Sequence, residues 1–522
     1  MISPEQRSEA RARVHSGLSP AAIALLFAVL MIVAVIPVLS HKLPPLSDYI
    51  NHLARTYVIN AIDDDPYLSR FYSIDWAVVP NLMIDLVVPY LNEVADIYVA
   101  GQIFTVICFL LIVSGTLVLN RALFGHWSAL PLIAIPFLYN GVMLIGVMNY
   151  VFGIGLALWF IAGWVIAINR PLPVRLALST VFIAALFFCH LFAVGIYAIG
   201  VLAVELQRLW ERRATPGPAL VNFVTAGSPF LVVAILMVMG PTLNTPGFAA
   251  DWEFWGKLNG LRLAVNVYHP LVAFAVLATL GLVGAYAFHQ RALSFHPIGW
   301  AMLGVGLAVY LALPNVILAA HLADQRLPIA LAFMLIACFD LQLRTQVARY
   351  GFVGVLALIV AMRVIEVQAV WTDVQPRAEE FLKSVRSIER GKRVLVVHGG
   401  SADESEITHN DLMHAASLAT IERSALVTTA FTVPGKHILR VRDEFKKFVE
   451  TEDRWPPSLP YFLKVADKDD PASNYFWELW PRHYDYVYIL FTKKGFLCPD
   501  KKNLSLVHDG PGFQLYRVNR DG

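Results

Sequence analysis

The segment Ser47-Asp-Tyr-Ile-Asn-His-Leu-Ala-Arg55 carries a carboxylate, an imidazole and a guanidinium at positions 48, 52 and 55. In a helix, spacings of i, i+4 and i+7 bring all three onto one face. Ser47 is a favoured N-cap, and Asp48 suits a first turn, where the helix dipole favours negative charge. Asp48 is a candidate general base or metal ligand. Arg55 offers a fork suited to bidentate hydrogen bonding with a phosphate, and His52 is a candidate substrate-binding group between them. The plainer alternative is an amphipathic juxtamembrane helix with Asp48 and Arg55 solvated.

Other polar residues recur at the ends of apolar blocks. Asp85, a substrate-binding candidate or a structural hydrogen-bonding group, sits in Pro80-Asn-Leu-Met-Ile-Asp-Leu-Val-Val-Pro89, where a carboxylate is costly unless partnered. Asp63, Asp64 and Asp65 precede Pro66 and read as a turn. Asn149, His190, His269, His321, Asp324 and Arg326 are further substrate-binding candidates, since ionisable groups at a membrane boundary are functional hypotheses by default. Each has a bland reading as well. His190 can satisfy a backbone carbonyl at a helix break, and Arg326 can snorkel to the interface. Their shared placement predicts a polar pocket at one interface. In the tail, His398, His409 and His414 with Asp403, Glu406 and Asp411 match no zinc spacing and read as a solvated loop and helix.

The elements that must position these groups follow from composition. Of 522 residues 57% are hydrophobic and 15% charged, against about a quarter charged in soluble domains. Charge is scarce between about residues 21 and 368 and returns after 372. The fold class is therefore a polytopic α-helical membrane protein followed by a small C-terminal α/β domain. Apolar blocks fall near 21–40, 97–119, 128–146, 149–169, 219–239, 269–288, 297–313, 326–343 and 350–368. The stretch Arg175 to Leu206 is too long for one span and reads as two meeting near His190, for about 11 in all. The first block reads as a retained span rather than a cleaved signal. The domains are then a cytoplasmic 1–20, a transmembrane 21–371 with outer loops 41–96 and 240–268, and an outer α/β domain 372–522. With the N-terminus inside, Arg7, Arg11 and Arg13, Arg121, Arg170 and Arg175, Arg208, Arg212 and Arg213, Arg291, and Arg344 and Arg349 all fall in cytoplasmic segments, as basic loops should. Strands are expected at 393–398, 484–491 and 513–518, and helical patches at 376–390 and 410–418. A net charge of +2 without a Lys/Arg run is too small to argue for a nucleic-acid partner, and none is expected. Four scattered cysteines, Cys108, Cys189, Cys338 and Cys498, form no C-x-x-C pair.

In topology, and in the segments Ser47–Arg55, Cys189-His190-Leu191 and Ala323-Asp-Gln-Arg-Leu-Pro328, the chain resembles GT-C superfamily glycosyltransferases. The resemblance implies a bacterial inner-membrane enzyme that takes a sugar from a polyprenyl-phosphate carrier on the periplasmic side and passes it to a glycan or lipid acceptor. Asp48 then matches the family's first-loop acid, which activates the acceptor or organises a metal. Arg55 and Arg326 are candidates for the donor phosphate by their chemistry rather than by motif. Many members show two adjacent acids where this chain has Asp48-Tyr49, so a divalent cation is an open point. No Gly-rich phosphate cradle points to a nucleotide sugar. Two alternatives stand beside this. A transporter of lipid-linked glycans would show repeats and midplane polar sites; a non-catalytic scaffold would leave the polar loop residues scattered in space.

Overall fold

The computed structural model describes residues 17–212, 216–244, 251–317, 320–400, 410–449, 456–466 and 475–520. Arg7, Arg11, Arg13, Arg213, Asp403, Glu406 and His409 lie outside these residues. Among the described residues, eight helices are long and apolar enough to cross a membrane: Pro20–Ser40, Ile97–Phe124, Met148–Asn169, Leu172–Cys189, Leu191–Glu211, Ala219–Met239, Pro270–His289 and Gln346–Arg386. The chain is a polytopic membrane protein. The expected break falls at His190, between Leu172–Cys189 and Leu191–Arg212.

Three of the eleven expected spans are shorter. Pro297–Ala312 and Leu327–Ala337 are helices of 16 and 11 residues, about 24 and 16 Å long. The block at 128–146 is not a continuous helix. It forms a 3-10 stretch, Leu130–Phe137, then a five-residue turn of α-helix, Gly141–Ile145. Pro131 and Pro136 remove two amide donors and clash with the preceding turn, so an apolar pattern alone misjudged it. Irregular backbone at this depth needs partners within the protein. Arg363 Nε donates to the Pro136 carbonyl at 3.2 Å, and the segment's side chains are almost all buried.

The connections sort to two ends. At one end, His126 pairs with Asp340 (3.2 Å), Glu205 bridges Arg175 and Arg208, and β2 (Leu293–Phe295) pairs with β3 (Phe339–Leu341). The other end holds the 41–96 loop and the C-terminal domain. There β1 (Tyr72–Ile74) pairs antiparallel with β6 (Leu439–Val441), with Ser73 opposite Arg440. The C-terminal sheet runs β5 (Leu426–Val427), β4 (Arg393–His398), β7 (Tyr486–Leu490), β9 (Phe513–Val518), β8 (Leu504–Gly510). Its β5, β4 and β7 are parallel, and β9 and β8 are added antiparallel.

No linker separates membrane region from domain. Gln346–Arg386 is one helix of 41 residues, about 60 Å long, and its last turns enter the domain. Arg377 grips Asp411 with two hydrogen bonds (2.6 and 2.9 Å), and Phe381 stacks on Tyr488 at 4.7 Å. The first loop is bound as firmly. Arg390 Nη2 meets Asp65 at 2.6 Å, and the Tyr98 hydroxyl donates to Glu422 at 2.6 Å.

Candidate active site

Asp48 occupies the N-cap position of the first-loop helix Tyr49–Ala61, one residue later than the cap expected at Ser47. Its side chain makes no capping bond, so the carboxylate remains available for other work. The backbone is held from below: Ser47 and Asp48 amides donate to Leu144 and Ile145 carbonyls at 3.0 and 2.9 Å. Gly146 ends that segment with φ +86°, and a Cβ there would stand 2.9 Å from the Asp48 amide nitrogen. Gly146→Ala is therefore expected to cost about 1–2 kcal/mol, from the left-handed backbone alone, and to push Asp48 outward. A lowered thermal midpoint of the detergent-solubilised protein checks it.

The Asp48 carboxylate faces the C-terminal domain. His414 Nε2 lies 3.5 Å from Asp48 Oδ1. Behind it, Asn51 Nδ2 contacts His414 Nδ1 at 3.2 Å and donates to the Thr429 carbonyl at 2.6 Å, while Asn51 Oδ1 accepts from the Phe431 amide at 3.0 Å.

Arg326 arrives on the same space from the start of Leu327–Ala337. It lies within electrostatic reach of Asp48 and Tyr150. Its Nε is buried without a hydrogen-bond partner among the described residues. The guanidinium stands 5.9 Å from the Phe192 ring, and the Tyr150 hydroxyl donates to the Arg326 carbonyl at 2.8 Å. His190 packs on Tyr150 and Phe192 at 5.5 and 4.8 Å. Its Nδ1 accepts the Phe192 amide at 3.1 Å. The ring is thus neutral with its proton on Nε2, a hydrogen-bond donor in a region that also feels Arg326 and Lys436. His190 does sit at the helix break, and it caps an amide there rather than a carbonyl.

Other candidates are committed elsewhere. Arg55 is spent on Asp85, Nε to Oδ1 at 2.7 Å and Nη2 to Oδ2 at 3.0 Å, with both side chains fully buried. Burial makes an ion pair with a near carboxylate the cheaper state, while the Arg55 Nη1 is buried without a hydrogen-bond partner among the described residues. Asp85 in turn is that partner rather than a substrate ligand. His52 is buried edge-on to Phe431 at 5.2 Å, and its Nδ1 has no hydrogen-bond partner among the described residues. Burial, then the charge of Arg55, holds its imidazole well below the ordinary range, so it is uncharged at neutral pH. Asn149 braces the loop: its side chain accepts the Ile84 amide at 2.7 Å and donates to the Asn81 carbonyl at 2.7 Å. Asp324 is buried against Lys257 at 2.8 Å. His269 is exposed, with its amide donating to Glu366 at 2.7 Å, and His321 is exposed. Asp48 and His190 thus both lie within electrostatic reach of Arg326, whereas His269 and His321 are at the surface.

Sequence reasoning passed over Asn51, Tyr150, Lys257, Phe431, His437 and Arg363. Asn51 lies inside the motif segment itself, so only its partners were invisible. Arg363 and Glu366, paired at 2.6 Å inside the last span, were a readable signal, because charges inside a span need partners. His414 had been read as solvated; its neighbours Asp48 and Asn51 lie hundreds of residues earlier. Two described cavities of about 220 and 230 Å³ belong to the far end and to apolar helix faces, lined by Arg121, His126 and Asp340 and by Leu280, Phe352 and Leu356. Among the described residues no three His, Cys, Asp or Glu side chains gather as a metal site.

The membrane helices and the attached domain together are similar in fold to solved membrane proteins. The arabinofuranosyltransferase AftD from Mycobacteria aligns with a TM-score of 0.50 at 15% identity, over 97% of this chain and 40% of that one. ArnT from Cupriavidus metallidurans, bound to undecaprenyl phosphate, aligns with a TM-score of 0.49 at 10% identity over 96% of this chain and 98% of that one. Its apo form aligns at 0.49 and 11%, over 95% and 97%. At these identities the likeness is one of fold. No family model matches the chain, and no curated protein sequence matches it.

Proposed function

We propose that this chain is a membrane glycosyltransferase that moves a sugar from a polyprenyl-phosphate carrier to a glycan or lipid acceptor. The reaction is placed at the end that bears the C-terminal domain, the periplasmic face of a bacterial inner membrane. The observation that carries the reading is the buried Arg326, whose Nε has no hydrogen-bond partner among the described residues and which lies within electrostatic reach of Asp48. The AftD-like fold is consistent with it, and so is the convergence of polar loop residues that a scaffold has no need to gather.

The chemistry follows from the positions. A polyprenyl tail stays in the bilayer and leaves its phosphate at the interface, where this cluster lies. Asp48 takes the proton from the acceptor hydroxyl as its oxygen attacks the anomeric carbon. The bond between that carbon and the phosphate oxygen breaks, and its electron pair leaves with the phosphate. Arg326 and the His190 Nε2–H are donors for that growing charge in a site with little water.

The test is mass spectrometry of lipid that copurifies with the protein, coupled to transfer from synthetic undecaprenyl-phosphate-linked pentoses and hexoses. Bound polyprenyl phosphate and transfer from one of these donors are expected. Arg326→Gln is expected to weaken undecaprenyl-phosphate binding about 10- to 100-fold, the loss of one charged hydrogen bond. Recovery of ordinary phospholipid alone, with no transfer from any donor, would overturn the proposal.

A further inference from the structure

We infer that the C-terminal domain completes the catalytic site: His414 is a positioning residue whose Nε2–H orients the Asp48 carboxylate, in a tautomer dictated by Asn51. For the task Asp48 performs, this rests on the glycosyltransferase reading above.

Hydrogen-bond logic fixes each atom in turn. The Thr429 carbonyl, 2.6 Å from Asn51 Nδ2, can only accept, and the Phe431 amide, 3.0 Å from Asn51 Oδ1, can only donate. Flipping the Asn51 amide would set oxygen against oxygen and N–H against N–H, so its orientation is determined. Asn51 Nδ2 is then a donor toward His414 Nδ1, 3.2 Å away. Nδ1 must carry a lone pair, which leaves the ring proton on Nε2, the atom facing Asp48 Oδ1 at 3.5 Å. His414 also packs edge-on to Phe431 at 5.2 Å, which fixes the ring plane.

Among the described residues, titratable groups coupled to His414 include Asp48 from the first-loop helix's cap, His52 from that helix, and His398 from β4. Burial holds His52 well below its ordinary range and brings His398 down to about 4, so both are uncharged near neutral pH. A neutral N–H aims the carboxylate without cancelling its charge, whereas an imidazolium would drain the basicity that proton abstraction needs. The arrangement also explains the firm docking of the tail. Asn51 and His414 are 363 residues apart, and β1–β6 pairing with the Arg377–Asp411 bridge holds them in register. Tail docking is thereby a condition for an aimed base.

The experiment uses the full chain in lipid nanodiscs with the same synthetic donors, comparing wild type, Asp48→Asn, His414→Leu and His414→Gln. Gln carries an amide N–H near the imidazole Nε2 position, and Leu has none. His414→Leu is expected to lose about 10- to 100-fold in kcat, as a misaimed group does, with undecaprenyl-phosphate affinity unchanged. His414→Gln should recover most of that loss. Histidine-selective 15N spectra should show His414 protonated at Nε2, with a shift on Asp48→Asn. Full activity of His414→Leu beside an inactive Asp48→Asn overturns the role of His414 and leaves the enzyme reading standing. Equal impairment of Leu and Gln variants, with a lowered thermal midpoint, assigns His414 to structure alone and also overturns it. If wild type transfers from no donor, the enzyme reading fails. The 15N spectra then decide the Asp48–His414 pairing: a protonated Nδ1, or no response to Asp48→Asn, refutes it.

Discussion

Asp48→Asn is expected to lower sugar transfer by about 10³-fold, within the range for loss of a general base, while the protein still inserts and keeps its thermal midpoint. The amide matches the carboxylate in shape and cannot take a proton. Its oxygen keeps an acceptor 3.5 Å from His414 Nε2, and no helix-capping bond is lost, because Asp48 makes none. The side chain is 24% exposed, so no buried pairing is broken. Transfer assays in nanodiscs, with a melting curve as control, measure both halves. Activity above half the wild-type value would remove Asp48 from the mechanism.

Asp85→Leu has the largest expected effect on stability. It strands Arg55 with no counter-charge where its side chain is wholly inaccessible to solvent. Removing one member of a buried pair costs about 3–5 kcal/mol. Replacing both, as Arg55→Met with Asp85→Leu, should recover much of that, since the stranded charge is gone. The pair clamps Tyr49–Ala61 onto Met83–Asn92, so the single variant should also lose activity through the displaced base. A double-mutant cycle on unfolding checks the coupling. Were Arg55 instead a phosphate ligand, Arg55→Met would weaken donor binding and barely move stability.

Much of the membrane architecture was legible along the chain. Eight of the eleven expected spans became membrane-length helices, the break at His190 fell where expected, and strands appeared at 393–398 and 513–518. The strand expected at 484–491 spans Tyr486–Leu490. The sorting of loops to two ends also held, because the first loop and the tail share a sheet through β1 and β6. The 410–418 patch was less regular than expected, breaking into Asn410–Met413 and a 3-10 turn, Ala415–Ser417. That break carries His414 at its hinge.

Transfer free energy is nearly additive residue by residue, so the spans and the membrane boundary are written in local composition. So is the presence of an acid at the head of the first-loop helix. Which cation that acid meets is not local information. Arg55 and Arg326 looked equivalent as sequence, yet Arg55 was claimed by Asp85, 30 residues on, and Arg326 was left with a buried Nε that has no hydrogen-bond partner among the described residues. His414 looked like a solvated tail histidine until docking of the domain brought it to Asn51. Pairing energies fall with distance in space and are blind to distance along the chain, so only the tertiary structure could assign these partners.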